Sequence, residues 1–232
     1  MRQIIFDTET TGFSPQDGDR LIEIGAVEMI DGNVTGETFH TYVNPDREVP
    51  IEAYRVHQIS TEFLRDKPRF HEDSVGPAFL RFIGDAELVA HNAPFDMGFI
   101  NAELALAGMP ELTNSVRDTV PLARRKFPGA PASLDALCQR FGISKAEREE
   151  KGHGALLDSE LLAKVFIELT GGRQTALFGA DGRGGSQGAA RSGAPTRQRG
   201  KELPPRLTDA EKEAHAAFIG ELKTPIWAKV AG

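Results

Sequence analysis

The chain has 232 residues, 40% hydrophobic and 26% charged, with a formal net charge of −7, which suits one globular domain plus an appendage, or two small domains. No apolar run approaches the roughly 18 residues of a membrane-crossing helix, and "MRQIIFDTE" reaches a carboxylate too early for a signal peptide. A single cysteine, Cys138, excludes an internal disulfide and fits a reducing cytoplasm.

The charge is uneven. Residues 179–232 hold 9 Lys/Arg and 6 Asp/Glu, which leaves 18 against 28 in residues 1–178. So acidic a body does not bind nucleic acid through a broad basic surface; a polyanionic substrate would need bound cations or a partner protein to attract it.

In chain order, residues 2–7 read as a strand, "LIEIGAVEMI" (21–30) as a second, and "TFHTYVNP" (38–45), after a "DGN" turn, as a third. "SVGPAFLRFIG" (74–84) has helical spacing interrupted early by Gly76-Pro77, and "ELVAHN" (87–92) is a short fourth strand. "FDMGFINAELALAG" (95–108) is a helix stopped by Gly108 and Pro110. A short strand near 115–118 precedes a helix over 119–127, and "SLDALCQRFG" (133–142) is a helix capped by Ser133 and ended by Gly142. The longest helix is "GALLDSELLAKVFIELTGG" (154–172). Three strands followed by alternating helices and strands imply an α/β fold, a mixed sheet flanked by helices. Composition then changes: 179–200 is Gly, Ala, Ser and Arg with little to bury, a flexible linker. Beyond it Thr208 and Glu211 form a capping box ahead of a helical tail.

"FDTETTG" (6–12) sets Asp7 and Glu9 on one side of the first strand, about 7 Å apart. Two solvated charges at a strand end would look the same, so the stretch alone leaves both readings open. "HNAPFD" (91–96) puts Asp96 in the first turn of a helix, as a dipole partner or as a site residue. "HGALLD" (153–158) adds His153 and Asp158, five residues apart and thus not on one helical face. They converge only if His153 lies ahead of the helix, which Gly152 and Gly154 permit; otherwise they are a surface histidine and a helix-face aspartate. Taken together, four carboxylates and one histidine suit a hard cation, Mg²⁺ or Mn²⁺, better than zinc. Two such ions roughly 4 Å apart can clamp a phosphodiester for hydrolysis.

"FDTETTG", "HNAPFD" and "HGALLD" resemble, in order and spacing, the three motifs of the DEDDh 3′→5′ exonucleases, a family with a ribonuclease-H-like fold. Within it the chain is most similar to the proofreading, epsilon-type branch of bacterial DNA polymerase III, through "IEIGAVE", "VHQIS", "SLDALCQRFGI" and "LTGG", and through the tail. The resemblance implies two metal ions on Asp7, Glu9, Asp96 and Asp158, with His153 as general base. It places Thr10, Phe13, His57 and Phe95 against the terminal nucleotides of a single-stranded or frayed DNA 3′ end. Gln58 is a departure, since the family often has Gly after this histidine.

"QTALF" (174–178) resembles a sliding-clamp docking peptide through Gln174, Leu177 and Phe178, and reads equally as a cover for the end of the long helix. The tail, with Phe218, Ile226 and Trp227, is too small for its own core and folds on a partner. The resemblance names the polymerase III alpha subunit, and it leaves room for a small accessory subunit. The division expected is an exonuclease domain at 1–178, a linker at 179–206 and a polymerase-binding tail at 207–232. The activity expected is proofreading hydrolysis of DNA 3′ ends. Its rivals are an RNA-end exonuclease of the same family and a non-catalytic replisome scaffold.

Overall fold

A computed structural model of the chain describes residues 1–146, 148, 153–171 and 208–221. Gln174, Leu177, Phe178, Ile226, Trp227 and the linker lie outside these residues.

Strands β1 (Arg2–Thr10), β2 (Leu21–Ile30) and β3 (Asn33–Tyr42) form an antiparallel meander. β4 (Glu87–Ala90) pairs parallel to β1, and β5 (Val116–Asp118) parallel to β4, giving the order β3-β2-β1-β4-β5. β1 is therefore central, with an antiparallel neighbour on one side and a parallel one on the other. Its apolar residues are buried to either side, Ile4 and Phe6 into one core and Ile5 into the other. That run makes the strand apolar on both faces from Ile4 to Phe6, immediately before Asp7.

The Ile4 core is closed by α3 (Gly76–Ile83) and α4 (Ala93–Leu106), through Phe79, Ile83, Phe99, Ile100 and Leu104. The Ile5 core is closed by α5 (Thr119–Lys126), α6 (Leu134–Phe141) and α7 (Ala155–Thr170), with Leu137, Cys138, Leu162 and Val165 fully buried. The result is the mixed sheet flanked by helices that the sequence leads one to expect. Gly76-Pro77 does not interrupt α3 but starts it, because a proline in the first turn surrenders no helical hydrogen bond. β1 runs three residues beyond the expected 2–7, so Asp7 and Glu9 both lie within the paired strand.

Two helices have no periodic signature in the sequence: α1 (Ile51–His57) and α2 (Thr61–Leu64). They are too short to show one. Leu64 packs on Ile22 and Ile59, and Gln58, which ends α1, takes a left-handed φ of 59°. That is the conformation a glycine would adopt there without strain, so the helix still stops at His57. In the tail, α8 (Asp209–Glu221) starts with the capping box: Thr208 N–H donates to Glu211 Oε2 at 2.8 Å. Phe218 on this helix is exposed. Among the described residues, no helix is long and apolar enough to cross a membrane.

Among the described glycines, one of the two most closely approached lies beneath α7. A Cβ on Gly25 would sit 2.1 Å from the Leu156 nitrogen and 2.2 Å from the Ala155 carbonyl carbon. Gly25 is opposite Asp7 in the β1–β2 ladder, so the absence of a side chain lets the start of α7 come down beside Asp7. Ser159 Oγ fastens it by donating to the Gly25 carbonyl at 2.9 Å. Gly25→Ala is expected to destabilise the protein by about 3 kcal/mol, read as a lower urea midpoint, and to cost more nuclease activity than the lost stability explains.

Candidate active site

Asp7 and Glu9 project from the face of β1 that carries Ile5, toward α7. Asp158 stands in the first turn of that helix, buried, and His153 sits just ahead of it, half exposed. His153 Nδ1 is 3.4 Å from Asp158 Oδ2. Ligand atoms of Glu9, His153 and Asp158 lie within 4.8 Å of one another. The five-residue spacing that would part His153 from Asp158 on one helix is harmless here, because Gly154 is the N-cap and His153 precedes the helix.

Asp96 arrives from the other layer. Asn92 takes a left-handed φ of 69°, and its N–H donates to Asp118 Oδ1 at 3.0 Å, turning the chain from β4 into α4. Asp96 is then buried in the first turn of α4, where its Oδ1 accepts from Thr8 Oγ1 at 2.7 Å. Thr8 alternates with Asp7 and Glu9, so the strand grips Asp96 with the residue between them. Farther along α4, the buried Glu103 accepts from Arg20 Nε and Nη2, both at 2.7 Å, and so clamps that helix to the start of β2.

Thr10, Phe13, His57 and Phe95 line a single cleft of about 390 Å³, shared with Glu9, Ala53 and Val56. Phe13 is 91% exposed, a free aromatic face at the cleft. His57 is buried, and its Nδ1 accepts from the Ile59 N–H at 3.0 Å, which leaves the imidazole proton on Nε2.

Three residues at this place escape a reading of motifs. Thr8 sits inside "FDTETTG", and only strand alternation marks it. Glu23, opposite Glu9 in the ladder, is buried and accepts from the Ala155 N–H at 3.1 Å and meets His40 Nε2 at 2.6 Å. Its signal is strand register. Arg148 reaches Asp158 Oδ2 with Nη2 at 2.9 Å, and nothing local in the sequence announces that.

Residues 4–166 match the family described as "Exonuclease". Among curated proteins, the DNA polymerase III subunit epsilon of Rickettsia typhi is 53% identical over 76% of this chain and 77% of its own. That of Escherichia coli is 44% identical over 94% of this chain and 92% of its own. The chain belongs to this exonuclease family, in its epsilon-subunit branch. Among solved structures, Exonuclease X in complex with 5′ overhanging duplex DNA is 28% identical, with a TM-score of 0.57 over 77% of this chain and 94% of that one.

In this exonuclease the four carboxylates are hard to ionise together. Burial first, then Asp96, Glu9 and Asp158, pushes Asp7 well above the usual carboxylate range. Burial and then Glu23 carry Glu9 to about 8. Burial lifts Asp96 to about 7 against the Thr8 hydrogen bond, and burial lifts Asp158 against the Arg148 charge. Such a cluster calls for cations, and the donor set suits hard ones: carboxylate oxygens, with Asp158 Oδ1 buried and without a hydrogen bond.

These shifts fix a sign. The folded chain holds the protons more tightly than the unfolded one, whose carboxyls release them near pH 4. The stabilisation from Asp96 and Glu9 is complete at low pH and is lost as pH rises through about 7 and about 8, and the raised Asp7 and Asp158 act in the same direction. His57 and His91, which burial holds below the usual 6.5, oppose the trend only under that value. In chelating buffer the melting temperature is therefore expected to rise as pH falls from 8.5 to 6.5, and excess Mg²⁺ is expected to flatten the slope.

Proposed function

We propose that Asp7, Glu9, Asp96 and Asp158 hold two divalent cations, Mg²⁺ or Mn²⁺, in this 3′→5′ exonuclease, and that His153 takes the proton of the attacking water. The observation that carries the reading is the convergence of four mutually repelling carboxylates, from three elements, on the end of β1 beside one cleft. Bound there, the cations supply Lewis-acid activation of water and charge neutralisation of the phosphodiester. They also reverse the local field, so a body with 18 Lys/Arg against 28 Asp/Glu can approach DNA.

The chain's own residues do the rest. Phe13 and Phe95 offer ring faces on which terminal bases stack without regard to sequence, which suits a frayed single strand. Thr10 and His57, which line the same cleft, are the polar residues placed at the last nucleotide. His153, half exposed at the rim of the cluster, is the group open to water there, and an imidazole suits proton transfer near neutral pH. The substrate is the DNA 3′ end and the setting is proofreading, as the epsilon subunits of DNA polymerase III suggest. We assign residues 1–178 to the nuclease, 179–206 to a linker and 207–232 to alpha-subunit binding through Phe218, Ile226 and Trp227. "QTALF" is assigned to the sliding clamp. Tethering then supplies the local concentration that an acidic surface does not.

The test is purified full chain with Mg²⁺ on matched and mismatched DNA ends and on RNA of the same sequence. Mononucleotides are expected from DNA 3′ ends, faster from mismatches; a clear preference for RNA would make this an RNA-end enzyme. Activity surviving excess chelator would remove the cations from the reaction. Asp7→Ala with Glu9→Ala is expected to lower turnover by roughly 10³-fold or more, with the fold retained. His153→Ala is expected to lower it roughly 10²–10⁴-fold with metal binding preserved.

A chain ending at Phe178 is expected to hydrolyse single-stranded DNA about as well as the full chain yet fail to co-purify with the alpha subunit. Full-length affinity in the truncated form would overturn the assignment of the tail.

A further inference from the structure

Arg148 lies between α6 and α7 with its side chain 10% exposed. Its guanidinium makes three engagements at once. Nη2 donates to Asp158 Oδ2 at 2.9 Å and to His153 Nδ1 at 2.6 Å, and Nη1 donates to Asp135 Oδ1 at 2.8 Å. Nε lies 2.8 Å from Asp158 Oδ1 with its N–H misdirected, so both atoms are buried without a hydrogen bond.

Arginine only donates and stays charged. The contact with His153 therefore fills the Nδ1 lone pair, and the imidazole keeps its proton on Nε2. An imidazole in that state has no free nitrogen to accept a proton from water. The same guanidinium shields Asp158, so one side chain occupies both a cation ligand and the general base. This rests on the roles given to those two residues above.

We propose that Arg148 is a built-in competitor of the divalent cations, holding Asp158 and the His153 lone pair together until a cation takes Asp158. Release from the carboxylate then releases the base, and metal binding is coupled to readiness for proton transfer. The fit of the guanidinium favours exchange. It satisfies only one oxygen of Asp158, and a single positive charge does not balance four carboxylates. A divalent ion brings twice the charge and needs no N–H direction to reach Oδ1. Nor is the displaced guanidinium stranded. Asp135, on the first turn of α6 and 53% exposed, already accepts from it and remains as its partner.

A purely structural strut joining α6 to α7 would give the same contacts, and metal affinity separates the two. Calorimetric titration of Mg²⁺ into the full chain is expected to show Arg148→Gln binding about tenfold more tightly than the parent, the worth of one charge-assisted hydrogen bond. Arg148→Lys keeps the charge without the fork and is expected to fall between them. In nitrogen NMR of the histidine rings, adding Mg²⁺ to the parent is expected to move the His153 Nδ1 signal toward its position in metal-free Arg148→Gln. Equal or weaker Mg²⁺ binding by Arg148→Gln overturns the proposal, as does a His153 signal that ignores Mg²⁺. Asp158→Asn is the control. If it abolishes Mg²⁺ binding while Arg148→Gln leaves affinity unchanged, only the competitor role falls. If Asp158→Asn binds Mg²⁺ normally, the reading of the cluster falls, and this proposal with it.

Discussion

Four carboxylates at the end of one strand repel each other, and burial removes the water that would screen them. Asp96 and Asp158 are 3% and 4% exposed, so each would shift toward the neutral acid if left to itself. The surrounding structure opposes that relaxation. β1 is central in the sheet, and Asp7 and Glu9 stand in its ladder with β2 opposite Gly25 and Glu23, so neither can turn outward without breaking that pairing. Gly25 lets α7 descend until Asp158 faces them, and the Arg20–Glu103 pair keeps α4, with Asp96, from drifting away.

Repulsion built into a rigid frame is a stored affinity for cations. The same feature explains the chain's acidic balance, since charge that would deter DNA becomes the means of meeting it once ions are bound. It also gives meaning to the polar contacts nearby. Thr8 holds Asp96, Glu23 holds the first N–H of α7, and Arg148 holds Asp158. Thr8 and Arg148 fasten carboxylates of the cluster directly, and Glu23 fastens the helix that carries Asp158.

The elements were legible to different degrees, for physical reasons. β1, α4 and α7 are apolar runs, and α4 and α7 end at glycine, so their existence follows from composition and stop residues. α1 and α2, of 7 and 4 residues, bury too few side chains to imprint a period. Yet α1 ends at His57, which only the family resemblance marked and which shares the cleft with Thr10, Phe13 and Phe95. Gln58 illustrates the same limit. Its left-handed backbone is compelled by the tertiary path of the chain, against the residue's own preference.

Local chemistry is written in local sequence: the apolar run before Asp7, the glycines around His153, the capping box at Thr208. These determined the sheet-forming core, the motif order and the candidate ligands, because strand alternation and helix capping act over a few residues. What met what was decided in three dimensions. Glu23 stands opposite Glu9 through strand register, and Arg148 reaches Asp158 and His153 only because α6 and α7 pack side by side on Ile5. Electrostatic energy depends on distance and burial, neither of which a linear chain possesses until it folds.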